Sequence, residues 1–172
     1  MKLLKEIYGE NIRKETFDEL NPNCTVRRAA RAILFNEFNE IAFLNVTKDK
    51  YHKLPGGGIE ANEDIMTALS RELMEEVGAE AAVIDEIGMI IEYKPNFKQI
   101  SYCYLAKVIG EKRSPSFTEI ELNDGFALEW RTVEEAICIL ENDAPESTIG
   151  RFIRERDLAF LKHYSKGAQT QI

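Results

Sequence analysis

The sequence predicts a single α+β domain in which helices cover a mixed β-sheet. Three observations carry that expectation. The chain has 172 residues, and domains commonly run to roughly 100–200 residues. Runs rich in β-branched and aromatic residues stand beside stretches whose apolar residues recur every four positions. The two kinds follow one another without the regular alternation that builds a wound parallel sheet.

Residues 1–24 read as an N-terminal extension. Leu3, Leu4, Ile7 and Tyr8 fall at helix-compatible spacing before the polar turn NPNC, and the segment is expected to pack on the domain or on a second copy. The domain itself is expected over 25–165. TVRRAARAILF (25–35) and EIAFLNVTK (40–48) are β-compatible runs on either side of NEFN, a hairpin pattern. Period two places Arg27 and Arg31 on one side of the first strand and Arg28 on the other.

NEDIMTALSRELMEEVG (62–78) reads as a helix. Asn62 suits the N-cap, with Glu63 and Asp64 in the first turn. Ile65, Leu69, Leu73 and Val77 form the apolar stripe, and Gly78 suits a left-handed C-terminal cap. AAVIDEIGMIIEYKP (81–95) and QISYCYLAKVIG (99–110) predict a second hairpin, and residues 111–125 a polar loop. A short strand, FALEWR, precedes a helix over TVEEAICILE, opened by a Thr132–Glu135 capping box. A last helix presents Ile149, Phe152, Ile153, Phe160 and Tyr164 on one face, and 166–172 form a flexible tail.

Hydrophobic residues make up 44% of the chain and charged residues 30%, enough for a core and unlike a disordered chain. The net charge of −8 argues against binding nucleic-acid backbones or anionic membranes. No apolar run approaches the roughly 18 residues of a membrane span, and the start lacks a secretory apolar core. Cys24, Cys103 and Cys138 are odd in number and far apart, as reduced thiols of a cytoplasmic protein would be. HExxH, GK[ST] and GxSxG patterns are missing from the sequence.

The chemistry concentrates in LPGGGIEANEDIMTALSRELMEEVGA (54–79). Glu72, Glu75 and Glu76 stand at i, i+3 and i+4 on a helix face turned away from Leu69 and Leu73. Like charges so spaced destabilise a helix by roughly 0.2–0.5 kcal/mol per pair. Arg71, four residues before Glu75, offsets part of this, and a hard divalent cation would offset far more. A solvated acidic face is the plainer reading of the helix alone. The glycines shift the balance, because Gly56, Gly57 and Gly58 clear side chains from where backbone could approach a metal or a phosphate.

Gly57, Glu63, Arg71, Glu72, Glu75, Glu76 and Gly78 keep a spacing that resembles the Nudix box, G-x5-E-x7-R-E-U-x-E-E-x-G-U with U a bulky aliphatic residue. Every fixed polar and glycine position is present. Ala79 departs at the last aliphatic position, which bears on packing and not on chemistry. The LPGG lead-in and the order of strands, with Trp130 on the strand before a helix, extend the resemblance over residues 25–142.

Membership of the Nudix hydrolase family would imply an α/β/α sandwich with a catalytic loop–helix–loop. It would imply Mg²⁺, with Mn²⁺ as a substitute, and hydrolysis of the pyrophosphate of a nucleoside diphosphate derivative. The resemblance makes Gly56 (through its carbonyl), Glu72, Glu75 and Glu76 the metal ligands, with Arg71 orienting a helix carboxylate and Glu63 structural. Glu72 is the default general base, and Glu119 or Glu121 on the later loop is a further candidate ligand or base. Arg27, Arg31 and His52 are candidates for substrate contact. Tyr51, Phe35, Phe97 and Tyr102 could stack on a base. Tyr93 and Pro95 lie close to the family's markers for dinucleoside polyphosphate and ADP-ribose enzymes, and leave open both an oxidised nucleotide such as 8-oxo-dGTP and a nucleotide sugar such as ADP-ribose. Homodimers occur among such proteins. The alternative from another class is a Nudix-fold nucleotide sensor without catalysis, against which the intact Arg71, Glu72, Glu75 and Glu76 speak.

Overall fold

The structure is a computed structural model that describes residues 1–169. In chain order it comprises β1 (Leu3–Tyr8), α1 (Phe17–Leu20), β2 (Thr25–Phe35), β3 (Ile41–Val46), β4 (Tyr51–Lys53), β5 (Gly56–Gly58), α2 (Ile65–Val77), β6 (Glu80–Lys94), β7 (Phe97–Ile109), α3 (Glu119–Asn123), β8 (Phe126–Arg131), α4 (Val133–Asn142) and α5 (Thr148–Gln169).

The strands join in one mixed sheet of order β1-β6-β7-β2-β3-β4, with β5 on β2 and β8 on β3. The β6–β7 hairpin is long and antiparallel, whereas β2 runs parallel to β7 along its whole length, from Thr25 opposite Phe97 to Phe35 opposite Lys107. On its other edge β2 meets β3 only at Phe35 and Ile41, and the glycines of β5 take the place of β3 opposite Ala29, Ala30 and Arg31. The expected first hairpin therefore forms and then splays, and the glycine loop fills the gap.

Both faces of the sheet are covered, each by its own core. One core packs Ala30, Ala32, Leu34 and Ala42 against Ala68, Leu69, Leu73 and Val77 of α2. The other packs Ile33, Phe35, Ile41, Phe43 and Ile90 against Val133, Ala136 and Leu140 of α4 and Phe152, Phe160 and Leu161 of α5. Alternate residues of β2 feed the two cores, as period two requires. The α+β sandwich expected from the sequence is the observed architecture. Ala79 is buried with Leu73 and Val77, so the small residue is accommodated in the α2 core.

Several local expectations are corrected. Leu3–Tyr8 is not helical but a strand, parallel to β6, with Ile7 buried. The N-cap of α2 is Asp64, whose side chain accepts from the backbone N–H groups of Met66 and Thr67, while Asn62 stands in a turn at φ 69°. The difference follows from Pro55 to Glu63 being used as the glycine strand and a turn, which delays the helix by two residues. Gly78 does cap the helix in the left-handed region. The loop 111–125 contains α3, opened by a Thr118–Glu121 capping box. On α5, Phe152 and Phe160 are buried but Ile149 is exposed. The tail residues 166–169 continue α5, and 170–172 lie outside the described residues.

Candidate active site

The glycine loop is held from four directions. The backbone N–H of Leu54 donates to Asp157 on α5 at 3.0 Å, and the carbonyl of Pro55 accepts from Ala32 at 3.1 Å. Gly56 N–H donates to Glu76 on α2 at 2.6 Å, and Ile59 N–H donates to the carbonyl of Arg28 at 2.9 Å. Gly56 has φ 125°, and a Cβ there would run into the carbonyl oxygen of Ala30. At Gly57 a Cβ would collide with the carboxylate of Glu72, so the missing side chain is what lets that carboxylate lie on the loop.

Arg71 gathers the acidic residues of the helix. Its Nε and Nη2 donate to the two oxygens of Glu63 at 3.0 and 3.1 Å, a bidentate pairing. Its Nη1 donates to Glu72 at 2.9 Å and Glu75 at 3.2 Å, and Nη2 also reaches the carbonyl of Gly58 at 3.0 Å. The Glu63 hydrogen bonds hold the Arg71 pKa above its ordinary value, and Arg71 in turn lowers that of Glu63.

Glu76 behaves differently from its neighbours. It is 1% exposed, as deeply placed as Leu69 and Leu73, so the expected separation of acidic and apolar faces is incomplete. Burial raises its pKa, opposed by Lys53, by the Gly56 N–H and by Arg31. The Lys53 ammonium lies 2.6 Å from its carboxylate and 5.0 Å from the centre of the Phe126 ring.

These groups line one cleft of about 230 Å³, in which Gly56–Gly58, Glu72 and Glu76 face Arg27, Arg31, Tyr51, Lys53 and Glu121. Of the residues expected to act, the structure thus brings together Gly56, Glu72, Glu76, Arg27, Arg31 and Glu121, with Arg71 behind them. Glu75 stands at the margin, its side chain 42% exposed and turned to Arg71. Glu119 is exposed on α3 away from the cleft, and Glu121 also accepts from the Thr118 N–H and hydroxyl. His52 does not reach the cleft. Tyr51 and Lys53 line it, and alternation along β4 turns His52 the other way, onto Phe43 and Asp143. Phe35 and Tyr93 belong to the packed interior, and Tyr93 stacks on Tyr8.

Sequence reasoning passed over Lys53 and Asp157. Lys53 could have been found by period two from Tyr51, immediately before the glycines. Asp157, in the charged run RERD, carried no local sign of being buried.

The donors suit a hard divalent ion: carboxylates of Glu72 and Glu76 beside a glycine backbone, in a cradle that any side chain at position 57 would fill. Among the described residues no three acidic, imidazole or thiolate groups already stand as a finished metal cluster. Each carboxylate is held instead by Arg71, Lys53 or a backbone N–H.

The NUDIX domain family model matches residues 25–153. No curated protein matches the chain in sequence. Among solved structures, the MutT protein of Methanosarcina mazei superposes with a TM-score of 0.58 at 16% identity, covering 84% of this chain and 96% of that one. A NUDIX hydrolase of Nitrosomonas europaea gives 0.60 at 15% identity, covering 83% and 90%. An ADP-ribose pyrophosphatase of Streptococcus suis gives 0.52 at 17% identity, covering 81% and 92%. At such identities the likeness speaks for the fold.

Proposed function

Since the chain belongs to the Nudix family, we propose that it hydrolyses the pyrophosphate linkage of a nucleoside diphosphate derivative, with Mg²⁺ as cofactor and Mn²⁺ as an effective substitute. One observation carries the reading: the Glu72 carboxylate lies directly on Gly57 and the Arg27 guanidinium on Gly58, in a cleft also lined by buried Glu76 and Arg31. Acidic metal donors and phosphate-binding cations are thus gathered along one glycine strand.

Glu72, Glu75, Glu76 and the Gly56 carbonyl would hold the ion. Bound there, it would polarise phosphoryl oxygens and lower the pKa of an attacking water. The chain's own residues do the rest. Arg71 fixes the Glu72 and Glu75 carboxylates, Lys53 offsets the charge of buried Glu76, and Arg27 and Arg31 neutralise substrate oxygens. Glu72 is the base of first choice and Glu121, on the same cleft, the second. Glu119 and His52 have no part in the reaction on this reading. A −8 protein holds an anionic substrate through the metal and these arginines. The substrate is a small nucleotide, a nucleoside triphosphate such as 8-oxo-dGTP or a nucleotide sugar such as ADP-ribose, and the enzyme acts in the cytoplasm. Among the described residues no helix is long and apolar enough to cross a membrane.

The test is a panel of 8-oxo-dGTP, dNTPs, ADP-ribose, dinucleoside polyphosphates and NADH with Mg²⁺, products separated by chromatography. The Glu75→Gln/Glu76→Gln double variant runs in parallel. Turnover of one class that is lost in the variant supports the proposal. Turnover that persists in the variant, or no turnover alongside tight nucleotide binding, refutes it, the second result in favour of a sensor.

A further inference from the structure

Beside the glycine loop the cleft continues into a second compartment of about 300 Å³, and Arg27, Arg31 and Ile153 line both. Phe97, Ile149 and Ile153 supply its nonpolar lining, Ile149 being otherwise exposed on α5. Its polar lining is mostly buried, and its charges do not balance.

Glu92 lines the compartment, with one carboxylate oxygen left without a hydrogen-bond partner, and Asp157 stands close by. Glu76, which also acts on Arg31, is taken by Lys53. Asp157 takes Arg156 Nε and Nη2 at 2.7 and 3.1 Å. Glu92, fully buried, accepts from Gln99 at 2.5 Å and lies 3.7 Å from Arg156. Against them stand four cations: Arg27, Arg31, Lys94 and Arg156. Arg27 reaches only the amide oxygen of Gln99, at 3.3 Å. The Lys94 ammonium lies over the rings of Phe97 and Phe152, at 5.6 and 4.4 Å, and burial lowers its pKa.

Arg31 is the extreme case. It is 5% exposed, and its Nε and Nη1 have no hydrogen-bond partner. Among the described residues it forms no ion pair within 4.0 Å. Burial, and then repulsion by Arg156, bring its pKa down to about 10 against the attraction of Asp157, Glu76 and Glu92. Buried donor groups left without an acceptor cost stability, and none of the three carboxylates takes a hydrogen bond from Arg31 Nε or Nη1. The arrangement fits a site that is completed by an anion.

We propose that this compartment is a subsite for a second anionic group of the substrate, a phosphate carried on the portion beyond the hydrolysed pyrophosphate. Lys94 meets it inside the compartment, Arg27 and Arg31 stand at the junction shared with the hydrolysed pyrophosphate, and Phe97, Ile149 and Ile153 hold the body of the same portion. The proposal rests on the pyrophosphohydrolase reading and narrows it: substrates whose far end is phosphorylated are preferred to nucleotide sugars whose far end is neutral.

Anion binding without metal tests it apart from activity. The protein, stripped of metal on a chelating resin, is titrated calorimetrically with inorganic tripolyphosphate and, as neutral control, ribose. The variants are Arg31→Met and Lys94→Met, the second half-buried, confined to the compartment and safe for the fold. Wild type is expected to bind tripolyphosphate and not ribose, with Lys94→Met at least fivefold weaker and Arg31→Met weaker still. Wild type without binding, or Lys94→Met with unchanged affinity, overturns the subsite. With Mg²⁺, Lys94→Met is expected to raise KM at least fivefold for a nucleoside diphosphate sugar phosphorylated at its far end and to leave its neutral counterpart unaffected. Equal effects on the two overturn the subsite as well. An enzyme inert to both and to the whole nucleotide panel would defeat the hydrolase reading, and the metal-free titration would still decide this one.

Discussion

Replacing Gly57 by alanine should damage the site and spare the fold, whereas replacing Gly56 by alanine should damage both. At Gly57 the added Cβ meets only the carboxylate end of Glu72, a flexible group that can swing aside. No positive φ is involved, so alanine fits the backbone. The displaced Glu72 gives up its place on the loop and weakens its bond to Arg71. The Arg71–Glu72 ion pair is part-buried, its side chains 27% and 12% exposed, so the stability change should be about 1 kcal/mol, or roughly 2–4 °C in Tm for a chain of this size. Metal binding loses a donor, and an affinity loss of about tenfold, roughly 1.4 kcal/mol, is expected. At Gly56 the Cβ meets backbone, the carbonyl of Ala30, at φ 125°. Strain of roughly 1–3 kcal/mol from the backbone conformation alone, before β5 is pushed off β2, should lower Tm by about 4–10 °C. Thermal unfolding and Mn²⁺ titration followed by electron paramagnetic resonance measure both quantities on both variants. Gly57→Ala with undiminished Mn²⁺ affinity, or with a loss of stability equal to that of Gly56→Ala, would refute the reasoning.

Three further outcomes follow from the same contacts. Arg71→Met should cut turnover more than tenfold, because Glu72 and Glu75 lose the donor that fixes them, and Arg71→Lys should not restore it, since an ammonium cannot make the bidentate pair with Glu63; steady-state kinetics decide this. Because the folded pKa of Glu63 is depressed by Arg71, its contribution is complete above the ordinary carboxylate range and is lost as pH falls through the lowered value. Urea unfolding of Glu63→Gln against wild type should therefore show a difference at neutral pH that shrinks in acid. Asp157→Ala leaves Arg156 buried beside a single carboxylate and frees Leu54 N–H, and chemical denaturation should register a loss of about 3–5 kcal/mol.

Much of this site is legible because its chemistry is local in sequence. Glycines, arginine and glutamates fall within one loop and one helix, so spacing puts Glu72, Glu75 and Glu76 on one face with Arg71 beside them, the resemblance to the Nudix box adds Gly56, and period two puts Arg27 and Arg31 on one side of their strand. The fold class is legible for the same reason, since α2, α4 and the β6–β7 hairpin carry their own periodicity and caps. What escaped depends on contacts distant in sequence. Leu3–Tyr8 has apolar spacing compatible with a helix, and only the open edge of β6 makes it a strand. The burial of Glu76 requires Lys53, and that of Arg156 draws on Glu92 as well as its neighbour Asp157; Lys53 and Glu92 lie in no window of neighbouring residues. His52 is near the glycines in sequence but turned from the cleft, because adjacent strand residues face opposite ways.

The central claim is that the acidic residues of α2 hold a divalent ion. Its most direct test is Mn²⁺ titration of the metal-free protein, wild type against single glutamine variants of Glu72, Glu75 and Glu76. Saturable binding that weakens in each variant and is displaced by Mg²⁺ is the expected result. A wild type that does not bind Mn²⁺, or variants that bind it as tightly as wild type, would contradict it.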